Sequence, residues 1–307
     1  MLHLRLLVPV DAVDDVRALL VASPAVCHVV HVPGAAVAPA GDLVTADVAR
    51  EATSDLLEQL RSLGLERTGA IATGEVALML SDRATAAERA APGLGTDAVV
   101  WEEVEARTAE ESSLSATYLV FMAVATMIAA VGLLLDQPIL VVGAMVVGPE
   151  FGPVAGFCVA VVQRRRTETR RSLVALLVGF PAGMAFTAAL TLLLTAAGVL
   201  DSSMLTGARP DTAFISQPDA LSFVVAFLAG IAGMVSLTAA KSGALVGVLI
   251  SVTTIPAAAN VAVALAYGDL GQARGSSVQL VVNLAGIVLA GTLTLLVQQH
   301  AWRRTAT

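Results

Sequence analysis

Residues 143–156 read GAMVVGPEFGPVAG, an apolar run interrupted by Pro149 and Pro153, opened by Gly148 and Gly152, and carrying one carboxylate, Glu150. Proline lacks the N–H that continues a helix and its ring clashes with the preceding turn, so the run predicts a helix broken at its middle. Such a break frees backbone polar groups, which persist at membrane depth only beside a cavity or buried protein. An ionisable side chain there costs at least ~3 kcal/mol, so intramembrane carboxylates face a cavity, a proton path or a fixed partner. The plainer alternative for Glu150 is an interhelical hydrogen bond made by a protonated acid.

Outward from this break the chain resolves into six apolar runs, at 114–135, 139–162, 173–200, 221–240, 243–267 and 278–297, and Glu150 is the one Asp, Glu, Lys or Arg among them. Each reaches the roughly 20 residues that cross ~30 Å of hydrocarbon. A hydrophobic fraction of 56% and a mean hydropathy of +0.80 agree, since soluble domains are about 45–50% apolar. A single offset of 103 residues relates the two halves, carrying Leu114 to Gln217, Pro153 to Pro256 and Ser172 to Gly275. Each unit holds three spans, an odd number, so the second enters from the opposite side. The expected fold is an α-helical polytopic membrane protein with six transmembrane helices as two inverted three-helix repeats, its second and fifth helices broken. Interrupted hydrophobic segments at corresponding places in two halves point to a transporter's binding site.

The fifth run places Ser251, Thr253 and Thr254 just before Pro256, and Asn260 four residues after it. The offset puts Thr253 in the position of Glu150. These hydroxyls and the amide, with carbonyls freed by Pro256, form a candidate site for a small cation or polar substrate. They also suit ordinary back-bonding to their own helix and interhelical bonds. In the sixth run Gln279 and Asn283, four apart, share a helix face with Gly286 and Ala290. Interhelical adhesion is the plain reading of that pair, a ligand role the alternative.

Charge divides near Ser112, with 18 acids against 8 arginines before it and 7 acids against 10 bases after it. Arg164, Arg165, Arg166, Arg170 and Arg171 fill the loop after the second run, Lys241 follows the fourth, and Arg303 and Arg304 follow the sixth. The positive-inside rule makes all three sites, and hence both termini, cytoplasmic. Arg5 and Asp11 interrupt any apolar core of a cleavable signal.

Residues 1–80 carry a different pattern. Strands are expected near 2–10, 26–32, 42–48 and 69–78, with helices from Asp11 and over 50–63, the second ended by Gly64. The order βαββαβ is that of a ferredoxin-like α+β domain, here cytosolic. Strand alternation sets Cys27 and His31 on the face opposite His28, so no metal site is expected. Cys158 lies in a span, so no disulfide with Cys27 is implied. Residues 81–113 form a linker with an acidic helix containing Glu102, Glu103, Glu105, Glu110 and Glu111, a solvated segment or a docking surface. The transmembrane domain covers 114–300, with repeat one at 114–200 and repeat two at 217–300.

VVGAMVVGPEFGPVAGF (141–157), after a cytosolic α/β segment and before a basic loop and a Pro-interrupted fifth run, resembles the bacterial and archaeal hydrophobic membrane proteins called domain of unknown function 389. Members of that family commonly read Ser-Pro-Leu-Met-Gly-Pro at this point, from which Gly148, Glu150 and Phe151 depart. The resemblance implies a multi-pass protein of the cell (plasma or inner) membrane and implies no activity.

The function expected from these residues is a transporter or channel for a small ion or polar metabolite, regulated by the cytosolic domain, with Glu150 at a midplane site. A non-transporting receptor or scaffold, whose soluble domain binds a ligand or drives oligomerisation, is the alternative. H-E-x-x-H, G-x-S-x-G and P-loop motifs are absent and no histidine lies in a span, which argues against an enzyme or an ATP-driven machine. The partners expected are the lipid bilayer, the transported solute and further copies of the chain; no nucleic acid and no cofactor is expected.

Overall fold

The computed structural model describes residues 1–91, 99–207, 209–216, 219–239 and 254–305. Its contacts divide the chain into a unit carried by Met1–Glu103 and a unit carried by Val104–Leu237 and Lys241–His300.

The first unit is built on four strands, β1 (Leu2–Val8), β2 (Val26–Val37), β3 (Ala40–Val48) and β4 (Ala70–Glu75). Every neighbour is antiparallel and the order is β2-β3-β1-β4. Period-2 alternation decides the faces: Leu2, Leu4, Leu6 and Val8 are buried with Val44, Ala46 and Val48 of β3. Helix α1 (Val13–Ala22) adds Val13, Val16 and Leu20 to that core, and α2 (Thr53–Ser62) adds Leu56, Leu57 and Leu60. Gly64 in the left-handed region (φ 78°) ends α2 as expected, and a one-turn helix α3 (Leu65–Thr68) follows before β4. β2 runs five residues beyond the strand expected near 26–32, to Val37.

Besides the one-turn α3, the sequence reading missed α4 (Asp82–Ala90), whose Ser81 caps the N-terminus by accepting from Ala84 N–H at 3.3 Å. Its Ala84 and Ala87 pack on Cys27 of β2, with Met1 and Met79 beside them, on the sheet face opposite the leucine core. The acidic helix is present as α5 (Trp101–Glu111). It is not merely solvated. Glu102 accepts from Ser54 Oγ at 2.8 Å and Glu103 pairs with Arg50 at 2.8 Å.

The second unit is helical: α6 (Ala116–Leu134), α7 (Pro138–Val147), α8 (Phe151–Val162), α9 (Arg166–Ala196), a short α10 (Ser203–Thr206), α11 (Ala220–Thr238), α12 (Thr254–Tyr267) and α13 (Leu270–Thr305). Among the described residues four helices, α6, α9, α11 and residues Leu270–Ala301 of α13, are long and apolar enough to span a membrane, or five if the bent pair α7 and α8 is one span. The predicted fifth run is seen only in its second half, as the 14-residue α12, because 243–253 fall outside the described residues. Buried Tyr118, Met122, Ala125 and Ala129 of α6 meet Met145 of α7, Phe180 of α9 and Ala257 to Ala259 of α12 in one core. Small residues allow close approach: Tyr118 Oη donates to Ala175 C=O at 3.1 Å, and its ring fills the space that a Cβ on Gly179 would take. Such small-residue contacts are the main source of helix adhesion in lipid, where apolar burial gives no net drive.

Candidate functional site

Helix α7 stops where the sequence demands it. Gly148 leaves helical geometry (φ −64°, ψ 129°) and its N–H makes the last bond, to Ala144 C=O at 3.1 Å. Pro149 has no N–H to offer, Glu150 turns the chain, and α8 departs at 50° to α7. Pro153 lies in the first turn of α8, where backbone N–H groups have no helical partner, so it costs nothing there. The predicted break is therefore real and Glu150 is its last residue.

Glu150 is buried, 6% exposed. Its Oε1 accepts a hydrogen bond from Thr254 Oγ1 at 2.7 Å, which joins the two halves of the membrane sequence. Its Oε2 is buried and has no hydrogen-bond partner among the described residues. Gly148 makes room for it: a Cβ at that position would run into Glu150 Oε2 and come within 2.7 Å of Ile255 Cγ1. Thr254 opens α12 two residues ahead of Pro256, and both are fully enclosed. The local chemistry is thus a carboxylate with one oxygen held by a hydroxyl and one oxygen left over, beside interrupted backbone. Such a set accepts a proton or a small cation.

The other predicted ligands among the described residues have their hydrogen bonds elsewhere. Asn260 lies six residues further along α12, about 9 Å by helix rise, and belongs to a second cluster. Its Nδ2 donates to Ser276 Oγ at 2.7 Å and its Oδ1 accepts from Arg209 Nη1 at 3.3 Å. Arg209 Nη2 donates to Gln272 Oε1 at 2.6 Å. Burial lowers the Arg209 guanidinium from its ordinary value, and Asp136 and Asp269 oppose that. Nothing local in the sequence marked Arg209 as the partner of Asn260. Gln279 and Asn283 bond to each other, Nε2 to Oδ1 at 3.3 Å, as their spacing of four suggests. Ser251, Thr253 and Lys241 lie outside the described residues.

The end of α5 was missed as a neighbour of the break. Ser112 Oγ donates to Gly152 C=O at 3.3 Å, and a Cβ on Gly152 would meet Glu111 Cβ at 2.6 Å. Burial raises the Glu111 carboxyl above its usual range, and the nearby Arg107 counters this. In the basic loop Arg165 pairs with Glu105 at 2.7 Å within the same chain. Arg171 makes a 3.9 Å contact to Glu168, Arg164 turns the chain with φ 59°, Arg166 opens α9 and Arg170 lies in its first turns.

Residues 145–289, which include the break, the basic loop and α12, match the model of the family described as Domain of unknown function (DUF389). No curated protein and no solved structure matches the chain.

Proposed function

We propose, from the premise that this chain belongs through residues 145–289 to the DUF389 family, that it is a transporter or channel for a small ion or polar metabolite. The observation that carries this reading is Glu150, a buried carboxylate at a helix break with one oxygen on Thr254 and the other without a described partner. A group that served adhesion alone would be expected to use both oxygens, because an unpaired buried acceptor costs ~1–3 kcal/mol. In this reading the solute, a proton or small cation, takes the place beside Oε2 during the transport cycle. Thr254 fixes the carboxylate, and Gly148 with Pro149 gives it its place. Asn260, Gln279 and Asn283 line or brace the bundle instead of binding the solute.

The finer architecture follows the same reading: six spans in two inverted repeats, α7 with α8 answered by the fifth run around Pro256, and both termini cytoplasmic in a bacterial inner membrane. The four-stranded order β2-β3-β1-β4 supports a ferredoxin-like regulatory domain. Regulation would act through the end of α5, since Glu111 and Ser112 touch Gly152 in the first turn of α8. Assembly into a homo-oligomer is part of the same proposal.

A receptor or scaffold would keep the region around Glu150 sealed. The two readings part on water access. With Glu150→Cys in membranes, a small cationic thiol reagent is expected to modify position 150, while native Cys158, which is fully buried, stays unmodified. Absence of labelling at 150 under every ion gradient would favour the sealed receptor.

A further inference from the structure

We propose that Cys27, His28 and Asp47 of the N-terminal unit form a binding site for a thiophilic divalent cation of the zinc class. Sheet register builds it. Cys27 and His3 are both Cα partners of Asp47, one from each side, so three adjacent strands present these side chains in one row on one face. That face is the one α4 covers, opposite the leucine core.

Simple alternation would send His28 to the other face, which is what the sequence suggested. The structure corrects this. β2 carries a bulge between Cys27 and Val30, and His28 has φ 50°, a left-handed conformation uncommon outside glycine. An extra residue in a strand re-aims its side chains. Consecutive Cys27 and His28 therefore point to the same place, with Asp47.

The donor atoms fit a tetrahedral ion. Cys27 Sγ lies 3.6 Å from His28 Nδ1, close to the S···N edge of about 3.5 Å in a tetrahedron with Zn–S of ~2.3 Å and Zn–N of ~2.0 Å. His28 Nδ1 lies 2.8 Å from Asp47 Oδ2, so that edge opens by about half an ångström as the hydrogen bond gives way to coordination. One donor atom from each of the three residues lies within 4.8 Å of the others. Each donor is supported. His28 Nε2 is 2.9 Å from Ser81 Oγ, a hydroxyl that can accept from Nε2–H once the ring proton leaves Nδ1 for a metal to bind there. His3 Nδ1 donates to Asp47 Oδ1 at 2.7 Å, which holds the carboxylate with Oδ2 facing the ion.

The donor set selects the class of ion. A thiolate and an imidazole disfavour Mg²⁺ and Ca²⁺, which take oxygen ligands, and favour Zn²⁺ and related transition ions. Thiolate and carboxylate charges together balance a divalent ion, and the thiol proton leaves to solvent on binding. Three protein ligands leave a fourth position for water. Because Ser81 is also the cap of α4, an ion here would tie that helix to the sheet. The site stands apart from Glu150 in chemistry and in unit, so its failure leaves the transport reading untouched.

The test uses the full chain in detergent, stripped by a chelator and titrated with Co²⁺ alone. A thiolate-to-cobalt charge-transfer band is expected at one equivalent per chain, bleached by Zn²⁺. Cys27→Ser removes the band and Cys158→Ser keeps it. His28→Ala, a change at an exposed residue that leaves the packing intact, weakens binding at least tenfold. His3→Ala weakens it by about 10–100-fold, the usual effect of removing a group that orients a ligand. No band in the wild type, a band that survives Cys27→Ser, or unchanged affinity in His28→Ala would overturn the proposal.

Discussion

A Gly230→Leu chain is expected to form a markedly destabilised helical bundle. Gly230 of α11 sits against the backbone of α13: a Cβ there would meet Ile287 O at 2.7 Å, Ala290 Cβ at 2.9 Å and Ile287 Cα at 3.0 Å. Two of these atoms are main chain in a long helix and cannot rotate aside. The fit is reciprocal, because a Cβ on Gly286 would lie 3.0 Å from Ala226 Cβ. Overpacking a well-fitted core by a few methylenes costs about 1–3 kcal/mol, and a full leucine against backbone lies at or beyond the top of that range. The expected result is aggregated material on size exclusion and a melting temperature lowered by several degrees, with Gly230→Ala milder. Equal melting of Gly230→Leu and wild type would mean that α11 and α13 do not pack as described.

The second large effect is in the N-terminal unit. Leu6 is fully buried in the central strand β1, paired with β3 on one side and β4 on the other. Leu6→Ala removes three carbons and leaves a cavity, at a cost of about 2–5 kcal/mol. Whole domains are stable by only ~5–15 kcal/mol, so this is a substantial part of the total. Amide exchange of β1 is expected to accelerate at least about 30-fold in Leu6→Ala, the kinetic image of ~2 kcal/mol at 1.4 kcal/mol per decade. Unchanged exchange would contradict the packing.

How much of this was legible in the sequence depended on which physical rule governed each element. Bilayer thickness sets span length, so α6, α9, α11 and α13 stood out as apolar runs. The break at Gly148, Pro149 and Glu150 was legible because proline has one consequence in a helix wherever it occurs. The Glu150 to Thr254 contact was half legible: the repeat offset pointed at Thr253, and the hydrogen bond comes from its neighbour. Asn260 was assigned to the wrong cluster because its partner Arg209 arrives from a connecting segment, where no periodicity constrains position. His28 was misplaced because alternation holds only in an unbulged strand, and a single inserted residue reverses faces without any mark in composition. Helix α4 was hidden by its weak apolar face of alanines, although its cap, Ser81, was there to be read. Glu111 and Ser112 looked like the end of a solvated acidic helix because only tertiary packing brings them to Gly152.

The central claim is that Glu150 is the working carboxylate of a transport path, and solute flux tests it most directly. Purified protein reconstituted in liposomes would be assayed for proton and alkali-cation movement with internal dyes, wild type against Glu150→Gln, a substitution that keeps the shape of the side chain and removes its charge. The account predicts flux in the wild type that falls to the level of empty liposomes in Glu150→Gln, with the variant eluting and melting like the wild type. Flux that persists undiminished in Glu150→Gln would contradict it.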